Sequence, residues 1–513
     1  MERFLDRHNG RIAGSISGFD RMRFQGTLRY LAHVEGMGKF LNSQGVLLKN
    51  FASYVESLTE EIKKYAERIA ESKGRPVQYV ASSSEDKEAI ATKIAERDGI
   101  QEGLICVLTC VEPCQSFAVR KNKKKQELEL VGCPRKCLHL YFYWLDRNYG
   151  LMHLRLQTWV PFTIQVCING REWLSKQMDR EGIGYEKHEN CFTRIDNLER
   201  AQQLFQCLDQ QGWAGWLEKL ATHIHPFLRG KSDLHFKPYY WTLAQSEYAT
   251  DILFQDPASL KQIYPALVRH AVHHFHSKDV LRFLGRRIRE PFEGEVRSHM
   301  GSRVEGVRIK HWVEENSIKM YDKAGSVLRI ETTINNPRRY KVRRRVTRQG
   351  QKKMAWVEMR KGVVDIRRRV EVCRGANARY LDALAVVGDS TPSHRVLDLV
   401  SQSITSGKRR FRALRPISPS DSQLFQQILA GENFLQGVRN RDVRGALYPQ
   451  DESDLQKRHR ASAKITRSFQ LLSAHRLIYR VPKTNYYRAT KKGHSVMSTA
   501  LQFRITNAPL LAA

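Results

Sequence analysis

Apolar and polar residues alternate along residues 307–335, VRIKHWVEENSIKMYDKAGSVLRIETTIN. A period of two is typical of strands with one buried face, so this stretch predicts three antiparallel strands joined by two short turns. If residues 314–316 and 324–326 are three-residue turns, His311 lies opposite Lys319 and Lys319 opposite Glu331. The predicted sheet has an ionisable face, and its apolar face is formed by Trp312, Ile318, Met320, Leu328 and Ile330.

Along the rest of the chain, the spacing of apolar residues predicts an α+β multidomain protein. Residues 15–31 predict a hairpin or a strand that enters a turn at Gly26, residues 47–74 predict a strongly amphipathic helix, and apolar alternations follow. The predicted domains are an N-terminal mixed α/β domain (1–210), helices plus a central antiparallel sheet (211–345), a basic arm with a long helix (346–410) and a C-terminal winged helix-turn-helix (411–513).

The C-terminal prediction depends on element order: three helices, two short strands around a turn, and a closing helix. The stretch ITRSFQLLSAHRLIYRVPKTNYYRATKKG resembles the recognition helix and wing of MarR-type winged-helix DNA-binding domains. That resemblance implies a third helix in a major groove and wing contacts to phosphate. A winged helix that contacts protein or RNA is the alternative. The predicted contact residues are Lys457, Arg460, Lys464 and Arg467 on the helix and Lys483 and Arg488 in the wing.

Charge favours a polyanionic partner. The 513 residues contain 86 Lys and Arg against 53 Asp and Glu, a formal net charge of +33, and such a field attracts nucleic acid. Residues 338–369 are the most basic stretch, with fourteen cations and two acids. The nucleic-acid contacts predicted in the central region are Lys319, Lys323, Arg329, Arg338, Arg339, Arg343, Arg344 and Arg345.

The sequence lacks the features that usually indicate membrane proteins, nucleotide-dependent enzymes and serine hydrolases. No apolar run approaches the roughly 18 residues of a membrane-spanning helix, so we expect a cytoplasmic protein without a membrane partner. Its nine cysteines should stay reduced. The chain has no GxxxxGK[ST], GxGxxG, HExxH or GxSxG motif, so we expect no nucleotide cofactor.

The ionisable face of the central sheet suggests two interpretations. Cross-strand ion pairs on a solvated face explain it structurally. Alternatively, His311 and Glu331 hold Mg²⁺ or Mn²⁺ beside Tyr321 and activate a phosphodiester. The stretch KMYDKAGSVLRIET resembles strands of rolling-circle replication initiators, and this resemblance implies metal-dependent nicking. Asp20 is a weaker metal-ligand candidate, for which a turn role is favoured.

Two cysteine pairs share one spacing: Cys110 with Cys114, and Cys133 with Cys137. If both pairs lie in turns, four thiolates could form a structural zinc site. Buried cysteines acting as small hydrophobes are the alternative.

These observations support three hypotheses. The first is a nucleic-acid-binding protein, with DNA favoured, from a mobile or replicating element. The second is a metal-dependent endonuclease or replication initiator, and the third is an RNA-binding scaffold with a structural zinc. The whole chain is also similar to large bacterial proteins without an assigned function, which implies no activity, and the oligomeric state is left open.

Overall fold

A computed structural model gives the fold. It describes residues 1–124, 126–228, 234, 236–285, 295–303, 306–348, 350–387, 393–407, 409–430, 437–451, 454–482 and 484–505. Helices accompany a mixed sheet, in which β2 and β3 (bounds below) pair in parallel and β3 and β4 pair antiparallel. The predicted α+β class is therefore confirmed.

The described α-helices range from single turns to more than five turns. They are α1 (Glu2–Arg7), α2 (Val34–Ser43), α3 (Phe51–Ser72), α4 (Lys87–Arg97), α5 (Gly170–Glu181), α6 (Leu198–Cys207), α7 (Trp213–Ile224), α8 (Pro257–His274), α9 (Ser277–Phe283), α10 (Ile366–Leu384), α11 (Ser393–Asp398), α12 (Pro419–Ile428), α13 (Asn440–Leu447), α14 (Leu455–Ala474) and α15 (Lys491–Ile505).

The strands include four of fifteen residues or more. They are β1 (Ile12–Thr27), β2 (Val77–Tyr79), β3 (Gly103–Asn122), β4 (Glu127–Asp146), β5 (Gly150–Gln157), β6 (Ile164–Asn169), β7 (Tyr185–His188), β8 (Cys191–Ile195), β9 (Tyr240–Phe254), β10 (Val296–Arg303), β11 (Gly306–Val313), β12 (Asn316–Lys323), β13 (Val327–Ile334), β14 (Lys341–Arg348), β15 (Gln351–Glu358), β16 (Ile404–Ser406), β17 (Arg409–Phe411), β18 (Ile478–Arg480) and β19 (Tyr487–Ala489).

The chain forms two compact units, each assembled from segments distant in sequence. Unit 1 comprises Met1–Ala13, Phe254–Ile330 and Val372–Ala513, and unit 2 comprises Gly14–Leu253 and Glu331–Glu371. Neither unit has the bounds of a predicted domain. The domain boundaries near residues 210, 345 and 410 remain predictions about independently folding parts.

The sheet of unit 2 has the strand order β13-β9-β1-β6-β5-β4-β3-β2, with β13 contributing Glu331–Ile334. Met22 and Phe24 of β1 are fully buried, as the alternation of this strand predicts. Gly18 allows close approach of α6, since a Cβ there would lie 2.3 Å from the Phe205 ring. Helix α6 therefore covers the face of β1 on which Asp20 lies, since Asp20 is two residues from both Gly18 and Met22.

The sheet of unit 1 contains β10, β11, β12 and the first half of β13, in that order. Its register corrects one prediction. Val313 pairs with Asn316, so the turn has two residues, and Lys310, not His311, lies opposite Lys319. Because the side-chain period is two, this shift by one residue moves His311 to the inward face, opposite Ile318.

The C-terminal part of unit 1 consists of α12, α13, α14, the β18–β19 pair and α15, in chain order. Ile465, Phe469 and Leu472 of α14 are buried, and their helical spacing places them on one face. An isolated bridge joins Val438 to Tyr487 of β19. The apolar faces of these helices meet in one core that also includes Leu424, Phe425, Ile428, Val496 and Met497.

The basic stretch after β13 is ordered into a hairpin. β14 and β15 form an antiparallel two-stranded sheet of their own, with Lys341 opposite Glu358 and Arg348 opposite Gln351. The predicted arm is therefore a β-ribbon that starts at Lys341, before the predicted boundary at 346. The long helix predicted after it is confirmed as α10.

Candidate functional site

Three acidic side chains come together on neighbouring strands of unit 2. Asp20 lies on β1, Glu247 on β9 and Glu331 on β13, and the strand order places β9 between the other two. One carboxylate oxygen from each lies within 4.8 Å of the others. Asp20 and Glu331 are 4% and 1% exposed, and Glu247 is half-buried. We call these three residues the carboxylate cluster.

Polar neighbours hold the cluster in place. The Asn190 amide donates to both carboxylate oxygens of Asp20, at 3.0 and 2.9 Å. Desolvation lowers the pKa of Arg21, but the negative charges of Glu247, Glu88 and, more weakly, Cys167 and Asp20 together outweigh it, so the pKa of Arg21 is raised. The attraction acts in both directions, so Arg21 offsets part of the negative charge of the cluster.

The second acid of β9, Asp251, has a different role from Glu247. Asp251 forms an ion pair of 3.1 Å with Arg171, and both side chains are fully buried. A buried ion pair with a dedicated partner is a structural element that is strongly destabilising to break. Asp251 is therefore assigned to the core and not to the carboxylate cluster.

The cluster has the chemistry of a divalent-cation site. Carboxylate oxygens are the ligands that Mg²⁺, Mn²⁺ and Ca²⁺ prefer, with bond lengths of about 2.0–2.6 Å. Oxygens within 4.8 Å of one another fit around a single ion of that kind. Three carboxylates at this spacing also repel one another when ionised, and a bound cation would offset that repulsion together with positive neighbours such as Arg21.

The predicted metal ligand His311 lies in an aromatic environment of unit 1. Its Nδ1 lies 2.7 Å from Ser298 Oγ and its Nε2 lies 3.3 Å from the Tyr380 hydroxyl. Burial lowers the pKa of His311 to about 4 and raises that of Tyr380 well above its usual value. Because both ring nitrogens have protein partners, the prediction of His311 as a metal ligand is wrong. Tyr380 of α10 is fully buried and is therefore a core residue.

The other predicted residues of the central sheet have mixed outcomes. Tyr321, Lys319 and Lys323 are half-buried on β12, and their roles remain predictions. Arg329 is fully buried, like every residue of β13. A guanidinium without exposed surface cannot reach a nucleic acid, so the predicted contact of Arg329 is wrong. Glu331 lies in the carboxylate cluster.

The four cysteines of the zinc prediction lie in two paired strands and not in turns. On β3, Cys110 is opposite His139 and Cys114 is opposite Arg135; on β4, Cys133 is opposite Ser116. Residues 110 and 116 are about 20 Å apart along a strand, so Cys110 and Cys133 cannot bind one ion. The prediction of one zinc site formed by all four is wrong.

The remaining pair of thiols is nevertheless close. Cys137 donates a hydrogen bond to Cys114, which lowers the pKa of Cys114. Burial and this contact raise the pKa of Cys137. Both side chains lie in the apolar interior as free thiols, so here the interpretation as small hydrophobes applies.

The cations predicted on the C-terminal helix are exposed. Lys457, Arg460, Lys464 and Arg467 are solvent-exposed on α14, and Arg488 is exposed on β19. The Lys464 ammonium also lies 4.9 Å from the centre of the Tyr448 ring. Lys483 lies outside the described residues.

The cations predicted on the arm divide into two groups. Arg338, Arg339, Arg343 and Arg345 are exposed. Arg344 points to the opposite face of the ribbon from Arg343 and Arg345, pairs with Asp365 at 3.3 Å and donates to the Glu358 carbonyl at 2.9 Å. Arg344 is therefore a positioning residue of the ribbon.

Glu247 is the functional candidate that sequence reasoning missed. The stretch YWTLAQSEYATDILF forms β9, whose apolar positions alternate and contain two acids. A half-buried acid in the middle of a long strand could have been identified from that pattern. Asp20 was identified, but as a turn residue, whereas it lies inside the sixteen-residue strand β1.

Comparison with known proteins does not assign the chain to a family. No known family model and no curated protein matches the chain. One solved structure, the di-domain ARO/CYC BexL from the BE-7585A biosynthetic pathway, aligns over 60% of this chain and 94% of its own at 11% identity, with a TM-score of 0.15. A score this low supports no argument about fold or function.

Among the described residues, none of the helices combines the length and the apolar composition needed to cross a bilayer.

Proposed function

We propose that this protein binds nucleic acid, with DNA favoured, through a winged helix-turn-helix in its C-terminal region. The observation that best supports this proposal is the distribution of charged residues on helix α14. Its residues 455–474 include five Lys and Arg and no Asp or Glu. Four of these cations are exposed, and their spacing of i, i+3, i+7 and i+10 aligns them along one side of the helix, which we call the basic stripe: Lys457, Arg460, Lys464 and Arg467.

The surrounding elements support the proposal. A core on the opposite side of α14 fixes the helix, so the basic stripe projects from a rigid support. The order of α12, Val438, α13, α14, β18 and β19 is the order expected of a winged helix, with the Val438–Tyr487 bridge completing the wing. In such domains the third helix enters the major groove and the wing touches phosphates.

Charge and groove shape favour DNA over the alternatives. A protein partner would need apolar anchors, whereas the stripe consists of cations. The major groove of duplex RNA is too narrow and deep for a helix, while that of B-DNA is about 12 Å wide and admits one.

The test is a binding titration of the full chain on labelled duplex DNA, single-stranded DNA and duplex RNA at several salt concentrations. Replacing Lys457, Arg460, Lys464 and Arg467 together by Gln should weaken duplex DNA binding at least ten-fold. It should also reduce the slope of log affinity against log salt by up to about four, because each phosphate contact contributes about 0.9.

A charge-matched control separates this effect from net charge. Lys39, Lys64 and Lys93 are exposed on α2, α3 and α4, and Lys73 is exposed directly after α3; their combined replacement by Gln removes the same charge. We expect that control to bind nearly as the wild type does. Equal losses in both variants, or a wild-type protein with a flat salt response, would contradict the proposal.

The carboxylate cluster favours a second candidate, a divalent-metal-dependent activity on phosphodiesters. Two largely buried carboxylates and a half-buried one could hold an ion that activates water or stabilises charge on a phosphate. This candidate replaces the predicted His311 by Asp20 and Glu247 and retains Glu331. Its natural substrate would be the nucleic acid bound elsewhere on the protein.

Calorimetric titration with Mn²⁺, combined with a nicking assay, tests this candidate. The wild type should bind Mn²⁺ and cleave DNA, and Glu331→Gln should lose both. At 100 times the dissociation constant, Mn²⁺ should stabilise the wild type by about 2.7 kcal/mol. The exposed Glu96 on α4 provides a control, Glu96→Gln. Absence of Mn²⁺ binding would leave a proton-sharing core cluster and remove the candidate.

A further inference from the structure

The β14–β15 ribbon has two chemically different faces. On one face lie Lys341, Arg343, Arg345 and Thr347 of β14, with Glu358, Trp356 and Met354 of β15 opposite the first three. The other face carries Val342, Arg344 and Val346 against Val357, Ala355 and Lys353. We call the first the cationic face and the second the inner face.

The inner face anchors the ribbon to unit 2. Val342 is 5% exposed, and the Arg344–Asp365 ion pair fastens the same face to the residues that follow the ribbon. At the base, the Met359 amide donates to the Tyr340 carbonyl at 2.8 Å. These contacts fix which face of the ribbon points away from its support.

The cationic face has no evident structural use. Lys341, Arg343 and Arg345 are exposed, and Met354, directly opposite Arg345, has 51% of its surface in water. An exposed methionine between cations contributes little to a core. Cations interleaved with apolar side chains are the composition that contacts phosphates, base edges and thymine methyl groups together.

We propose that the β14–β15 ribbon lies in the major groove of duplex DNA through its cationic face, a proposal that rests on the proposed function. Arg343 and Arg345 contact phosphates and base edges, and Met354 contacts the apolar edge of a base. The two eight-residue strands are each about 26 Å long at 3.3 Å per residue, which is shorter than one helical turn of B-DNA.

The shape of the ribbon selects this partner. Single-stranded nucleic acid is bound in basic grooves with several stacking aromatics, whereas the cationic face is one side of an isolated two-stranded sheet with a single aromatic residue, Trp356. The major groove of B-DNA admits a two-stranded ribbon. The major groove of duplex RNA is too narrow and deep for side chains to read.

The experiment compares two substitutions on opposite faces of the ribbon in the full chain. Arg345→Gln removes one charge from the cationic face, and Lys353→Gln removes one exposed charge from the inner face. On duplex DNA, Arg345→Gln should weaken binding roughly five- to ten-fold and Lys353→Gln less than two-fold. The double variant Arg343→Gln/Arg345→Gln should reduce the salt slope by about two.

Groove and strand specificity are read in the same titrations. A major-groove competitor, methyl green, should displace the wild type from duplex DNA, and the minor-groove ligand netropsin should not. Equal losses for Arg345→Gln and Lys353→Gln would overturn the proposal, as would displacement by netropsin alone or equal effects of Arg343→Gln/Arg345→Gln on single- and double-stranded DNA.

The two proposals fail in distinguishable ways. If the wild type binds no nucleic acid, the proposed function fails and the ribbon proposal fails with it. If the wild type binds duplex DNA, and replacing the basic stripe abolishes binding while Arg343→Gln/Arg345→Gln does not change it, the ribbon proposal alone is overturned. Thermal melting of each variant confirms that the exposed substitutions leave the fold intact.

Discussion

Two hairpins, β11–β12 in unit 1 and β14–β15 in unit 2, have strands of equal length but differ in which of their residues are buried. Both consist of eight-residue strands that include several cations. In β11–β12 the residues that alternate with those cations are buried, among them Ile309, Ile318 and Met320. In β14–β15 the same alternation leaves most residues of both faces accessible.

The difference shows that alternation gives a strand two faces but does not determine which face is buried. A strand inside a larger sheet buries its apolar face against helices, and its cations form the remaining surface. An isolated ribbon lacks that cover, and its fold depends on a few contacts at its base. Substitutions that are chemically identical in the two hairpins should therefore have different effects.

The largest contrast is expected for two methionines. Met320 on β12 is fully buried, and Met354 on β15 is 51% exposed. Met320→Ala should destabilise unit 1 by about 2–5 kcal/mol, because it removes buried methylene groups and leaves a cavity. Met354→Ala should change stability by less than about 0.5 kcal/mol. Chemical denaturation of both variants measures the two effects. Similar losses would contradict the division into a core hairpin and an exposed ribbon.

The next effect concerns pH and His311, since residues 341–358 contain no histidine. The pKa of His311 in the folded protein is about 4 because of burial, below the value of about 6.5 in an unfolded chain. The unfolded state therefore takes up the proton first, and stability is lost as pH falls through 6.5 towards 4. Between pH 7.5 and 5 the loss from this residue is about 2 kcal/mol.

Denaturation at pH 7.5 and pH 5 measures this loss. In His311→Gln the difference between the two pH values should be smaller than in the wild type by about 2 kcal/mol. The control is His459→Gln, which removes an exposed histidine from α14 and should leave the difference unchanged. An equal effect of both substitutions would show that His311 is accessible in the folded state.

A smaller effect is expected at the anchor of the ribbon. Asp365→Asn removes the ion pair with Arg344, whose partners are mostly buried, and should cost about 1 kcal/mol. The loss should be local, because β14 and β15 form a sheet of their own. Hydrogen exchange should quicken for the amides of residues 341–358 and stay unchanged for those of β11 and β12. Uniform acceleration would show that the ribbon and the core unfold together.

The strands of these hairpins could be predicted from the sequence, whereas the residues that lie opposite one another in β11–β12 could not. Helices such as α3 and α14 and the strands β11 and β12 follow from periodicity, because each buries one face at a fixed spacing, whereas every residue of β13 is buried. The length of the turn at Glu314 was off by one residue, and that error alone put His311 on the wrong face. Register depends on turn geometry, which the alternation of apolar residues does not specify.

A related reason explains why only part of the carboxylate cluster could be predicted. Asp20, Glu247 and Glu331 are separated by more than eighty residues at each step and meet because β1, β9 and β13 are neighbours. Strand order depends on packing over the whole sheet, so a single sequence identifies candidate acids without showing which of them meet. The basic stripe of α14 needed no such information, since helical spacing within one element defines it.

The last contrast concerns the two turns and has the smallest expected effect. Gly350 in the turn of β14–β15 has a φ of 74°, whereas the turn of β11–β12 places Glu314 at a φ of 54°. Left-handed φ values suit glycine, while a side chain there is strained. Glu314→Gly should therefore stabilise unit 1 by less than about 1 kcal/mol, and Gly350→Ala should destabilise the ribbon by about the same amount. Denaturation measures the first change and hydrogen exchange of residues 341–358 the second. Opposite signs would confirm that both hairpins have two-residue turns, and a loss of stability in Glu314→Gly would argue for the three-residue turn that the sequence suggested.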